Sequence, residues 1–219
     1  VTPAPPAAFV NPPSDITITC AEALTFSAPN LTYTNGQSGA CEIAGSVPAV
    51  FTPVFDECTG NFSVSWTFTD DCNRTITHTQ VITVDPAPVA DWVNPPADLD
   101  VACNAATAFV AQPLNYTNGQ AGRCVIAGTV NPNVAENYTE CGGTITVTWS
   151  FTDDCNRTIT HTQIVTVLPA PIAAWVNPPQ NTTITCAQAL IFTTDTAFYS
   201  NNGLGSCLIQ GFIVGTRYG

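Results

Sequence analysis

The segment FSVSWTFTDDCNRTITHTQVITV, residues 62–84, decides the fold class of this chain. Its first eight residues alternate strictly between apolar and hydroxyl side chains, and a period of two over this length predicts a strand with one buried face. The apolar residues of that strand are Phe62, Val64, Trp66 and Phe68. A polar turn over residues 70–74 and a threonine-rich segment as far as Val84 then predict the second strand of a β-hairpin.

The hairpin recurs 83 residues later, because residues 149–163 repeat residues 66–80 with a single difference, serine at 150 for threonine at 67. All ten cysteines follow the same period. Cys20, Cys41, Cys58 and Cys72 recur as Cys103, Cys124, Cys141 and Cys155, and the first two recur again as Cys186 and Cys207. A constant period of domain size indicates a tandem array of one module. We therefore predict complete repeats at residues 1–85 and 86–168 and a partial third repeat at residues 169–219, which lacks the closing hairpin.

Short strands joined by Asn-Gly and proline-rich turns, without helical periodicity, predict an all-β fold of tandem immunoglobulin-like β-sandwiches. Each repeat begins with Pro-Ala-Pro, and an aromatic residue (Phe9, Trp92 or Trp175) precedes Val-Asn-Pro-Pro. Proline fixes φ and lacks a donor, so we expect a stiff connection, with the aromatic residue packed against the neighbouring module or in the core. We expect further chain beyond Gly219 to complete the third repeat, and strands donated by another subunit are the alternative.

The cysteines are expected to form disulfides within each module. About 80 residues make a marginal core that covalent links would support, and the intervals between successive cysteines are unlike the close pairs of zinc sites. Cys58 and Cys72 flank an extended strand and would lie roughly 30 Å apart, beyond the roughly 7 Å reach of a disulfide. Two pairings stay open: Cys20–Cys58 with Cys41–Cys72, or Cys20–Cys72 with Cys41–Cys58. A sharp bend at Gly60 would reopen the pairing of Cys58 with Cys72. Disulfides persist in oxidising compartments, so we predict an extracellular or cell-surface protein.

The composition excludes several classes of function. The chain has four Lys and Arg residues in all and a formal net charge of −12, so it lacks the basic surface that nucleic-acid binding requires. No segment approaches the roughly 18 apolar residues that span a bilayer, and membrane insertion is not expected. His78 and His161 each stand alone, without a nucleophile motif beside them, so we expect no catalytic residue, no cofactor and no enzymatic activity.

The residues of the hairpin and its flanks also carry a family resemblance. A tryptophan strand running into Thr-Asp-Asp-Cys-Asn, then a threonine-rich strand with glutamine, then valine and Pro-Ala-Pro, resembles the hyalin-repeat-like modules of large Bacteroidota surface proteins. The matching stretches are residues 66–88 and 149–171. The usual Cys-Gly-Asn of that family is Cys-Asn-Arg here, and the acidic Asp85 becomes Leu168 in the next repeat. The resemblance implies immunoglobulin-like domains in adhesin stalks or cell-surface fibres, without enzymatic activity in the repeats.

Two kinds of ligand or modification site are candidates. The adjacent carboxylates Asp70, Asp71, Asp153 and Asp154 are weak calcium candidates, and an aspartate-capped hairpin turn is the alternative. The Asn-x-Ser/Thr signal for N-glycosylation occurs at Asn30, Asn61, Asn73, Asn115, Asn137, Asn156 and Asn181. Asn73 and Asn156 occupy equivalent positions at the hairpin tip. Thr196, in Asp-Thr-Ala, resembles an O-glycosylation signal of secreted Bacteroidota proteins.

These observations predict a structural segment of an extracellular fibre or adhesin stalk, with glycosylation as a candidate modification. Its partners would be neighbouring repeats or subunits of the same fibre. The alternative is an adhesion module whose sandwich loops bind a glycan or a protein. The structural role is favoured because no loop concentrates exposed aromatic residues in both complete repeats.

Overall fold

A computed structural model describes residues 2–218, so Val1 and Gly219, which bound the first and third predicted repeats, lie outside the described residues. The chain is mostly strands, and the all-β prediction is confirmed. The first repeat contains β1 (Ala8–Phe9), β2 (Ile16–Ile18), α1 (Cys20–Ala23), β3 (Leu31–Thr34), β4 (Ala44–Val47), β5 (Gly60–Thr69) and β6 (Thr75–Val84). The second contains β7 (Asp91–Trp92), β8 (Leu99–Ala102), α2 (Cys103–Ala106), β9 (Leu114–Thr117), β10 (Ala127–Val130), β11 (Asn133–Thr139), β12 (Gly142–Thr152) and β13 (Thr158–Leu168). The third contains β14 (Ala174–Val176), α3 (Cys186–Leu190), β15 (Thr196–Ser200) and β16 (Gln210–Val214).

Three one-turn helices, α1 to α3, correct the expectation of a chain without helices. Thr19 caps α1 by accepting from the backbone N–H of Glu22, whose carboxylate accepts from the N–H of Thr19 in return. Thr185 and Gln188 repeat this capping box at α3. A single turn is too short to show a 3.6-residue period, although Thr-x-x-Glu is itself a signal for a helix start.

The predicted hairpin is present. Strands β5 and β6 pair antiparallel over their whole length, and β2 joins the other edge of β6 in parallel. The inward residues Phe62, Val64 and Trp66 are buried, as expected from the alternation. The indole Nε1 of Trp66 donates to the backbone oxygen of Pro29, 3.0 Å away, so the one polar atom of this buried ring is paired.

The chain divides into two compact units, and the repeat boundaries at residues 85 and 168 stay a prediction. The first unit comprises residues 2–93, Asn115–Thr129 and Phe151–Ile159, and the second comprises Asn94–Leu114, Val130–Ser150 and residues 160–218. The first holds sheets β1-β3-β4 and β2-β6-β5 and most of β10-β9-β7. The second holds β14-β15-β16 and most of the sheet β11-β12-β13-β8.

The core of the first unit explains why its boundary cuts through the second repeat. Its buried cluster contains Val64, Trp66 and Ile82 of the first repeat together with Cys124 and Ile126 of the second. Burial of apolar area is the main stabilising contribution in such a core. Consecutive repeats therefore share one hydrophobic core in this unit.

Candidate functional site: disulfide joints between repeats

Three disulfides link cysteines of successive repeats, so both pairings predicted within a module are wrong. Cys20 bonds Cys124, Cys58 bonds Cys155, and Cys103 bonds Cys207, with Cα–Cα distances of 5.9, 5.1 and 5.7 Å. Such distances are ordinary for a disulfide. The prediction that Cys58 and Cys72 do not bond each other is confirmed, because strand β5 lies between them, Cys58 bonds Cys155 and Cys72 is unpaired.

The three bonds follow one register. Cys20–Cys124 and Cys103–Cys207 both span 104 residues, which is the 83-residue period plus the 21 residues from Cys20 to Cys41. Cys58–Cys155 spans 97 residues, the period plus the 14 residues from Cys58 to Cys72. The first and third cysteines of a repeat thus bond the second and fourth cysteines of the following repeat.

Two small elements make the first kind of joint, and we call them the knob and the socket. The knob is the one-turn helix with its flanking residues, at 19–24, 102–107 and 185–190. The socket is a 3-10 turn with the residues after it, at 39–44, 122–127 and 205–210. In the first unit, Cys20 of the knob and Cys124 of the socket are both buried. A Cβ at Gly122 (φ +58°) would lie 3.0 Å from Cδ2 of Leu24, so the absence of a side chain there lets the knob approach.

The second unit repeats this joint. Cys103 of its knob and Cys207 of its socket are buried. The side-chain oxygen of Asn104 accepts from the backbone N–H of Leu204 at 3.2 Å, which adds a polar contact to the disulfide. Thr107 takes the place of Leu24, and its Cγ2 lies 3.5 Å from a Cβ built at Gly205. The knob–socket geometry is therefore a recurring feature of the chain.

The Cys58–Cys155 bond joins a loop to a hairpin tip, and an aspartate orders each partner. Oδ1 of Asp56 accepts from the backbone N–H groups of Cys58 and Thr59, at 2.9 and 3.0 Å. Asp153 accepts from the N–H groups of Cys155 and Arg157 and from Nε of Arg157 at 2.8 Å. Nη1 of Arg157 also donates to the backbone oxygen of Ala87 at 2.7 Å, which ties the tip to the proline-rich segment.

The aspartate pair at each tip is arranged as a capped turn. Asp70 holds the same contacts with Cys72 and Arg74, while Asp71 and Asp154 are exposed. The backbone N–H of Arg74 lowers the pKa of Asp70 against the opposing effect of burial. Burial raises the pKa of Asp153, but hydrogen bonds from Arg157 outweigh it, and the pKa is lowered. Both tips fit the alternative to calcium binding, and within residues 2–218 no cluster of three or more His, Cys, Asp or Glu could hold a metal.

The lowered pKa of Asp153 predicts that the joint at the Cys58–Cys155 bond loses stability in acid. Because the folded-state pKa of Asp153 lies below its unfolded value, the carboxylate stabilises the fold at pH above about 4. That stability is lost as the pH falls through the lower folded-state pKa. We expect Asp153→Asn to weaken the pH dependence of the unfolding midpoint between about pH 5 and pH 2, measured by urea denaturation. Asp154→Asn is the matched control and should keep the wild-type dependence, and equal behaviour of the two variants would contradict the assignment.

A second set of polar contacts was missed by the sequence analysis. Nε2 of His78 donates to the backbone oxygen of Pro13 at 2.7 Å, and Nε2 of Gln80 donates to the backbone oxygen of Ser14 at 2.6 Å. His161 and Gln163 make the same bonds to Pro96 and Ala97. These side chains fasten the proline-rich segment to the hairpin. The recurrence of both His-x-Gln and Asn-Pro-Pro at the 83-residue period was the available signal.

The remaining candidates are the glycosylation sites and the aromatic residues that precede Val-Asn-Pro-Pro. The eight glycosylation candidates are exposed, and Asn73 and Asn156 adopt positive φ of 61° and 59° at the hairpin tips. Glycosylation stays a prediction. Phe9, Trp92 and Trp175 pair with Tyr33, Tyr116 and Tyr199 of their own repeats in short edge strands.

Comparison of the sequence with known protein families gives no match, and comparison with characterised proteins gives none either. Within residues 2–218 no helix is long and apolar enough to cross a membrane.

Proposed function

We propose that this chain is a load-bearing segment of an extracellular fibre or adhesin stalk, built from immunoglobulin-like modules that disulfides lock in series. The observation that carries the proposal is the register of the disulfides, each of which joins one repeat to the next. A disulfide within a module would protect that module alone. A disulfide between modules also prevents their separation.

Other features support the same role. Elements recur at the sequence period, since α1, α2 and α3 begin at residues 20, 103 and 186. Two sheets of the first unit contribute to one buried cluster, as in a sandwich. Disulfides persist in oxidising compartments, which agrees with an extracellular site. The resemblance to hyalin-repeat-like surface modules favours the same assignment, with neighbouring repeats as the partners.

The disulfides make a short covalent route through the chain. Force applied to the two termini follows residues 1–20, crosses to Cys124, returns to Cys103, crosses to Cys207 and leaves along residues 207–219. This route uses roughly a quarter of the chain. The fully stretched length should be roughly 190 Å when oxidised and roughly 750 Å when reduced, at about 3.5 Å per residue.

Single-molecule stretching of the chain, held at both termini, tests the proposal. Loss of the Cys103–Cys207 bond through serine substitution should lengthen the oxidised limit to roughly 400 Å, because the route then runs from Cys124 to the C-terminus. The matched control replaces Cys58 and Cys155, whose bond lies off the shortest route, and should leave the oxidised limit unchanged. Extension of the oxidised wild-type chain to its full length would overturn the proposal.

A further inference from the structure

We infer that the first-repeat socket, with Cys41, is an open docking site for the third-repeat knob, with Cys186, of a second copy of this chain. Cys41, Cys72, Cys141 and Cys186 are the cysteines of residues 2–218 that are not in disulfides, and all four are exposed. Their equivalents elsewhere in the chain are bonded. The inference rests on the proposed function, because it takes the joints between repeats as native.

The first-repeat socket corresponds to the occupied socket of the second repeat, but no described knob lies against it. Apart from its two chain neighbours, no described residue lies within 4 Å of a Cβ built at Gly39, whereas Leu24 lies against the equivalent Gly122. Cys41 is exposed and Ile43 half-buried, whereas the equivalent Cys124 and Ile126 are buried. The uncovered surface opens into a cleft of about 440 Å³, lined by Tyr33, Phe68 and both unpaired cysteines of the repeat, Cys41 and Cys72.

The equivalent surface of the second repeat shows what fills such a cleft. Only about 220 Å³ of cavity remains there beside Tyr116 and Phe151, and Glu57 of the preceding repeat joins its lining. The neighbouring Cys58 is bonded to Cys155, the equivalent of Cys72. Residues of a preceding repeat therefore cover this surface where they are present.

The third-repeat knob is the complementary open half. Its sequence TCAQAL at residues 185–190 differs only at Gln188 from TCAEAL at residues 19–24, the knob that occupies the Cys124 socket. Leu190 is 79% exposed, whereas its docked equivalent Leu24 is 39% exposed. The sockets also correspond, with GACEIA at residues 39–44 against GRCVIA at residues 122–127. A knob and a socket that closely match a docked pair thus both stand open.

Docking brings the two thiols together for oxidation by a low-molecular-weight disulfide such as oxidised glutathione. Thiolate attack on the small disulfide releases one small thiol and forms a mixed disulfide on the chain. The second protein thiolate then displaces the other small thiol. The Cys41–Cys186 bond forms, and the two electrons and two protons lost by the protein thiols leave in two molecules of reduced glutathione.

The test uses two versions of the full chain. In the knob chain, serine replaces Cys41, Cys72 and Cys141, and in the socket chain, serine replaces Cys72, Cys141 and Cys186. All of these positions are exposed and unpaired, so the fold should persist, as thermal unfolding checks. The two are mixed in a glutathione redox buffer at about 0.15 M salt, which screens repulsion between acidic chains. Linked dimers are counted by intact mass.

We expect knob–socket heterodimers well above the statistical proportion of random pairing, with a Cys41–Cys186 peptide after digestion. Leu190→Asp in the knob chain should reduce the excess about tenfold or more, since the docked equivalent Leu24 lies against Gly122 and a charged side chain there would lose this apolar contact. Ile172→Asp, at a position 91% exposed and outside the knob, is the matched control and should leave the excess unchanged. Statistical pairing, or no linked dimer, would overturn this inference alone if the stretching experiment succeeds. If the oxidised wild-type chain instead extends to its full length in the stretching experiment, the proposed function is wrong.

Discussion

Joint replacement of Cys20 and Cys124 by alanine should lower the free energy of unfolding of the first unit by about 4 kcal/mol. The bond closes a loop across 104 residues, and this loop is still long when the Cys58–Cys155 bond is present. The Cys20–Cys124 bond therefore removes much conformational entropy from the unfolded chain. Both cysteines are also buried in the shared core, and their removal loses packing. Urea unfolding under non-reducing conditions measures the change.

The control for this prediction is Cys41→Ala, because Cys41 occupies the socket position equivalent to Cys124 and is unpaired. Its effect should stay within about 0.5 kcal/mol, as for an exposed residue without special contacts. Equal stability of the two variants would show that the joint contributes nothing to the fold. The comparison separates the value of the bond from that of the residue type.

Trp66→Ala should cost about 3–5 kcal/mol in the first unit, the range for a fully buried aromatic residue. The side chain is 1% exposed, its Nε1 bonds the oxygen of Pro29, and its ring lies 5.7 Å from that of His78. The alanine variant would leave a large cavity and an unpaired backbone oxygen. Urea unfolding followed by circular dichroism gives the size of the loss.

Trp175→Ala is the matched control for the same substitution, because Trp175 is 52% exposed. We expect a loss of less than about 1 kcal/mol there. A Trp66→Phe variant should fall between the two, since it keeps most of the apolar ring and loses the hydrogen bond. If Trp66→Ala and Trp175→Ala cost the same, the hairpin does not form the core described.

Local features of the fold could be predicted from the sequence. The alternation from Phe62 to Phe68 predicted strand β5 and its buried face, because side chains alternate across a strand. The turn at residues 70–74 could also be anticipated, since aspartate accepts from its own following backbone. The helix at Cys20 was missed because four residues carry no periodic signal.

The disulfide partners could not be predicted from local sequence patterns. Cys20 has candidate partners in its own repeat and in the next, and the 83-residue period makes these equivalent in sequence. The prediction of pairs within one module left out Cys124, which belongs to the next repeat. Contacts over 104 residues depend on which surfaces pack together, and local patterns do not record this.

The sequence by itself determined the strands, the hairpin turns and the period of the cysteines, because these follow from side-chain alternation and backbone preferences over a few residues. Only the tertiary structure decided that Cys20, Cys58 and Cys103 each bond a cysteine of the following repeat. The physical reason is the shared core: Cys124 and Ile126 of the second repeat are buried with Trp66 of the first. Burial in this core brings Cys124 beside Cys20. Cys41 occupies the equivalent position of the first repeat, where no described residue of a preceding repeat covers it, and it is exposed.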